Sequence, residues 1–245
     1  MKKQKFKPQP KPRRKFVQAR GDVRRKLLLE TALKLLRKHY LDDITFQGIA
    51  REAGVPLASC YHFFPGKMQL FADLIDYAGP WHKFVTVSAL VRRADNWMDI
   101  FRHLSDALIK AYESNRAFVQ LFTTWKIPGS GYPGREQGLT EAAERIRQGI
   151  DRQFVRPQFS EEVEVFACVV RFTESIWRAS MDNAGRVSEF ARREAHRAAV
   201  SYLCNYLPPI LERRPHPLDM PALQLPDSMP AMISEWIDYW PRKAL

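Results

Sequence analysis

Nine of the first 20 residues are lysine or arginine (Lys2, Lys3, Lys5, Lys7, Lys11, Arg13, Arg14, Lys15 and Arg20) and none is acidic, so +9 of the chain's formal +12 lies there. A cationic block carrying Pro8, Pro10 and Pro12 has too little apolar surface to build a core, and residues 1–20 are expected to form a disordered basic arm. Its chemistry is phosphate neutralisation with release of counterions, the driving force of DNA binding; the plainer alternative is a solvated tail. Catalytic constellations are missing. There is no H-E-x-x-H, G-x-S-x-G or Walker sequence, and the six histidines show no metal-ligand spacing. Gly129, Gly131 and Gly134 formally match a dinucleotide fingerprint, but Pro133 sits inside it and a helical rather than strand-like segment precedes it. No enzyme activity, catalytic residue, metal or cofactor is therefore expected.

The residues most suited to recognition lie in a short window. A helix-turn-helix needs a small residue where its helices cross, a turn residue that tolerates positive φ, and apolar residues facing the shared core. Ala50 and Gly54 meet the first two demands; Ile49, Ala53, Val55, Cys60 and Phe63 meet the third. A plain helical hairpin is the competing reading. The second helix of the unit belongs in the DNA major groove. Its outward residues are Pro56, Leu57, Ala58, Ser59, Tyr61 and His62. Leu57 and Ala58 suit thymine methyls, and Ser59 and His62 suit base edges or phosphate.

The elements that must hold this window are helical. The first spans about 22–39, with Leu28, Ala32, Leu35 and Leu36 forming an apolar face. Short pieces follow at about 46–52 (capped by Thr45), 57–63 and 67–78. A helix capped by Asp95 or Asn96 and running to about Ser114, and helices of about 116–125, 139–155, 161–183 and 188–206, come next, separated by a Gly- and Pro-rich loop at 126–140 and by Pro157, Asn183 and Gly185. The three cysteines, Cys60, Cys168 and Cys204, form no C-x-x-C pair and read as reduced, buried thiols of a cytoplasmic protein. No apolar run is long enough for a membrane span, and the N-terminus has no signal-like apolar segment.

Residues 24–75 resemble the N-terminal domain of the TetR family of regulators. Leu29 with Ala32, Thr45–Ile49–Ala50, Ala53–Gly54–Val55, Tyr61 with Phe64, and Lys67 with Leu70 carry the resemblance; Tyr40 and Ala58 stand where the family often has glycine. The resemblance implies an all-α fold. A three-helix helix-turn-helix domain (21–66) is followed by a larger helical ligand-binding and dimerisation domain (67–207); the Pro-rich strap and short C-terminal helix expected over 208–245 depart from the family outline. It implies that Tyr61, Lys67 and Thr45 touch phosphate and that Gln47 reaches a base, where Gln suits adenine. Outside the family, Tyr61 reads as a core aromatic and Lys67 as a solvated charge. It also implies a homodimer, joined through the helices at 161–183 and 188–206, that represses transcription from near-palindromic double-stranded DNA and answers to a small-molecule effector. An architectural DNA-binding protein without an effector is the alternative.

Phe118, Phe122 and Trp125 share one helix face, and Phe166 and Trp177 lie on a later apolar helix. These suggest the wall of a lipophilic pocket, although such stripes also form ordinary cores. Arg171 and Glu174 interrupt the second stripe, as a mutual pair, as solvent-facing charges or as holders of a polar ligand head. Near the C-terminus, Met232, Ile233, Trp236, Ile237 and Trp240 give an apolar helix face, expected to dock on the regulatory domain or a partner subunit rather than on a membrane.

Overall fold

The computed structural model describes residues 13–123, 133–181 and 186–220. Residues 1–12 of the expected arm, Trp125, residues 126–132 of the expected loop, and the strap and C-terminal helix from 221 onward lie outside the described residues. Within them the chain is almost wholly helical: α1 (Arg13–Lys38), α2 (Phe46–Glu52), α3 (Leu57–Phe63), α4 (Lys67–Leu90), α5 (Trp97–Ser114), α6 (Arg116–Thr123), α7 (Pro133–Gln153), α8 (Glu162–Ser180) and α9 (Glu189–Leu203). Two dipeptides, β1 (Phe154–Val155) and β2 (Glu212–Arg213), pair antiparallel, with Phe154 opposite Arg213.

The recognition unit packs α1 against α2 and α3, and α1 also touches α4 and α6 of the body. The inward stripe of α1 is Leu28, Leu29, Ala32, Leu33 and Leu36. Leu35, expected in that stripe, is only partly buried, because Leu33 takes the inward position and rotates the face. Ala53 and Phe63, expected to point inward, are also only partly buried, since they stand at the C-terminal ends of α2 and α3, on the rim of the shared core. In the body α4 packs on α5 and α7, and α8 lies between α7 and α9.

Three boundaries differ from those expected. Residues 13–20 belong to α1 rather than to a disordered arm; Pro12 immediately precedes a run of good helix formers, a natural place for a helix to start. Helix α4 runs past its expected end at Ala78, through Pro80, to Leu90. An interior proline costs a helix about 3 kcal/mol, and burial of Trp81, Phe84, Val85, Ala89 and Leu90 beyond it offsets that cost. Helix α7 opens at Pro133, inside the expected loop, because proline's fixed φ suits a first helical turn. Helix α5, by contrast, begins as expected: the Asn96 side chain accepts from Asp99 N–H, and the Asp99 carboxylate reaches back to the Asn96 N–H.

Of the three cysteines only Cys60 is buried; Cys168 is intermediate and Cys204 exposed. Cys204 caps α9 one residue beyond Leu203, which holds the inward position. The segment after α9 lies on the body. Trp97 donates its indole N–H to the Pro208 carbonyl at 3.0 Å, Arg214 N–H bonds the Gln153 carbonyl at 2.9 Å and Leu218 N–H the Arg152 carbonyl at 2.9 Å. No described helix is long and apolar enough to cross a membrane.

Candidate nucleic-acid interface

The geometry starts with the turn between α2 and α3. Gly54 has φ of +64°, a conformation that costs a residue with a Cβ roughly 1–2 kcal/mol. Gly54 N–H bonds the Arg51 carbonyl and Val55 N–H bonds the Ala50 carbonyl. This pair of bonds closes the end of α2, with Val55 and Ala50 both buried beneath it. At the other end Thr45 Oγ1 accepts from Gly48 N–H at 2.9 Å. Cys60 is fully buried, its thiol directed at the Val55 carbonyl, and burial pushes that thiol's pKa up, which keeps it protonated and inert.

Thr45, Gln47, Pro56, Ala58, Tyr61 and His62 are exposed, and Leu57 and Ser59 are partly buried. Tyr61 is 55% exposed, with its ring edge-on to Phe46 at 5.0 Å between centroids. It is thus braced but not a core aromatic. Inside this surface Phe64 is fully buried under the Arg25 guanidinium, 5.4 Å from the ring centroid; Arg25 also pairs with Asp73 at 2.6 Å. Lys67 is partly buried and donates from Nζ to the Leu41 carbonyl at 3.1 Å. It is therefore neither a freely solvated charge nor a group reserved for DNA, and an ammonium has further donors to offer.

That bond is half of a grip on the turn after α1. Gln120 of α6 donates from Nε2 to the Leu36 carbonyl at 2.8 Å and the His39 carbonyl at 2.9 Å. Its Oε1 accepts from Leu41 N–H at 2.6 Å. Two carbonyls at the end of α1, which have no partner within the helix, are thus satisfied from the body. Beside them Arg116 stacks over Tyr40, 3.8 Å from its ring centroid. Sequence reasoning missed Gln120, since no local pattern marks a glutamine whose partners are backbone groups.

The residues expected to line a pocket divide in two. Phe118 is buried and stacked on Trp81, 3.8 Å between centroids and 3° between planes. Phe122 lies 4.9 Å from the His82 ring, and His82 Nε2 is 3.0 Å from the Tyr112 hydroxyl. Desolvation, and secondarily the nearby Arg145 guanidinium, lower the His82 pKa to about 4; burial raises that of Tyr112. Both are neutral at pH 7. Phe166 belongs to a separate group with Phe159. Trp177 is buried, and among the described residues its indole N–H has no acceptor. Arg171 is exposed, and Glu174 lies 3.7 Å from Arg178. Trp81, His82, Tyr112 and Arg145 were not singled out from the sequence; they come from α4, α5 and α7 and meet only in the fold. Among the described residues no group of three or more His, Cys, Asp or Glu is placed to hold a metal ion.

Residues 28–74 match the family described as bacterial regulatory proteins, tetR family. A 53-residue stretch is 42% identical to the HTH-type transcriptional regulator BetI of Agrobacterium fabrum, covering 22% of this chain; the match spans about a quarter, 26%, of that relative's length. The fold extends further. A TetR-family transcriptional regulator from Pectobacterium atrosepticum superposes with a TM-score of 0.61 over 78% of this chain and 98% of its own, at 15% identity. One from Streptomyces coelicolor gives 0.56 over 76% and 98%, at 20% identity. Residues 28–74 thus carry the N-terminal domain of the bacterial tetR-family regulators, and the chain as a whole has the fold of the solved regulators of that family.

Proposed function

We propose that this protein is a homodimeric repressor that binds near-palindromic DNA and is released by a small lipophilic ligand. The observation that carries the reading is the exposure of Thr45, Gln47, Ala58, Tyr61 and His62 around a turn closed by Gly54. Leu57 and Ala58 meet thymine methyls, Ser59, His62 and Gln47 read base edges, and Thr45, Tyr61 and the remaining donors of Lys67 hold phosphate. The aromatic group of Trp81, Phe118 and Phe122, with His82 and Tyr112 beside it, supports an apolar effector carrying one hydrogen-bonding group. Gln120 lies two residues from both Phe118 and Phe122 on α6, so a shift of α6 on ligand binding reaches the end of α1 directly.

The test is selection of bound fragments from the native genome, followed by salt-dependent binding to the recovered site. Full-affinity binding to one isolated half-site would exclude the dimeric reader. Lys67→Ala should weaken binding to all sequences alike and reduce the salt slope by about one. A change of sequence preference at an unchanged slope would remove Lys67 from the phosphate contacts. Compounds that stabilise the protein thermally should also release the DNA; the absence of any such compound would favour the architectural alternative.

A further inference from the structure

A second charged site lies at the far end of α4. Arg93, Arg152, Arg213 and Arg214, with Val91 and Gln153, line a cavity of about 220 Å³. Three of these arginines are held by backbone rather than by carboxylates: Arg152 donates to the Leu218 carbonyl, Arg213 to the Ala94 carbonyl, and Arg214 Nε to the Asp151 carbonyl at 2.7 Å. Among the described residues none of the four is ion-paired with a carboxylate. The nearby Asp151 carboxylate is taken by Arg147 and Arg156, at 2.8 Å each. Among the described residues Arg152 Nε is buried without an acceptor.

The frame of the cavity is fixed. Gln153 donates from Nε2 to the Leu90 and Arg92 carbonyls and accepts from Ala94 N–H at 2.9 Å. Strand β2 closes the opposite side through its pairing with β1. Each guanidinium carries five donors in a planar fork suited to two oxygens of one anion, and a single backbone bond leaves most of them open. Three guanidiniums held this way, with the exposed Arg93 beside them, are a preorganised receptor for negative charge. The cavity is smaller than the ~300–1,000 Å³ of sites for drug-sized ligands. It is also separated from Lys67 by the length of α4, 24 residues or about 36 Å, so operator phosphates do not reach it.

We infer that this hollow is a binding site for a small multiply charged oxyanion, a phosphate or a polycarboxylate, separate from both the DNA surface and the aromatic group between the helices. A bound anion would draw together the end of α4, the end of α7 and the strap after α9. The reading does not depend on the proposed repressor function.

The test is calorimetric titration of the full-length protein with inorganic phosphate and, separately, with citrate, at ionic strength matched with chloride. Saturable binding of one anion per chain is expected, and the tighter of the two identifies the class. Arg93 is exposed and has no bonded partner among the described residues, so Arg93→Glu should leave the anion-free melting temperature unchanged while weakening binding about tenfold or more. Lys83→Glu, the same charge change at an exposed position of α4, should alter it less than about threefold, the scale of a screened surface charge. Absence of saturable binding by both anions, or equal losses in the two variants, overturns the site.

Discussion

Replacing Gln120 by glutamate changes one atom's identity and reverses its hydrogen-bonding role. The carboxylate still accepts from Leu41 N–H but cannot donate to the Leu36 and His39 carbonyls. Two net hydrogen bonds are lost, about 1 kcal/mol each. The new negative charge also faces the carbonyl end of α1, adding about 0.3–1 kcal/mol of repulsion. Gln120 is partly rather than fully buried, so water recovers part of the carbonyls' bonding and the expected loss is about 2–3 kcal/mol. Urea unfolding of the full chain at pH 7 reads it. Gln120→Leu separates the charge from the lost bonds, because only the glutamate variant should regain stability as pH falls through ~4–5 and the carboxyl becomes a donor. A loss below about 0.5 kcal/mol, the scale of a neutral surface change, would refute the grip of α6 on α1.

Gly54→Ala should cost roughly 1–2 kcal/mol from backbone strain alone, since a Cβ there meets nothing within 4 Å; Gly54→Asn should cost less, and equal stability of all three proteins would contradict the turn geometry. The unfolded chain protonates a histidine near 6.5 whereas folded His82 does so near 4, so the unfolded state binds the extra proton between these values and folding stability falls as pH drops through that window, by about 3 kcal/mol in all. His82→Gln should flatten that part of the stability–pH curve, and parallel curves would argue against a buried neutral imidazole. Trp97→Phe removes the bond to the Pro208 carbonyl and should destabilise by about 1–2 kcal/mol while speeding tryptic cleavage after Arg213; unchanged cleavage would show that the strap is held elsewhere.

The recognition unit was legible because its rules are local. A cap at Thr45, a small residue at Ala50, and a turn glycine at Gly54 act within a few residues of one another, and α2 and α3 have the boundaries that those rules imply. The limits of α1, α4 and α7 were not legible in the same way. Helix α1 starts at Arg13, inside the basic block, at Pro133 a proline that looks like punctuation opens a helix, and at Pro80 tertiary burial overrides it. The His82–Tyr112 pair and the arginine-lined hollow were beyond sequence reading for another reason. Their members come from distant segments, and a lone histidine or arginine carries no mark of the neighbour it will meet.

Gln120 and Gln153 perform the same operation at opposite ends of α4: each amide donates twice to carbonyls of a turn and accepts once from a backbone N–H of that turn. Deamidation of either side chain would leave its length and shape intact while turning two attractions into repulsions. Deamidation of Gln120 or Gln153 would therefore register as loosened structure at the turn it holds, 36–41 or 90–94. A one-dalton mass gain at either glutamine, accompanied by faster amide exchange across its own turn, would be the signature of that damage.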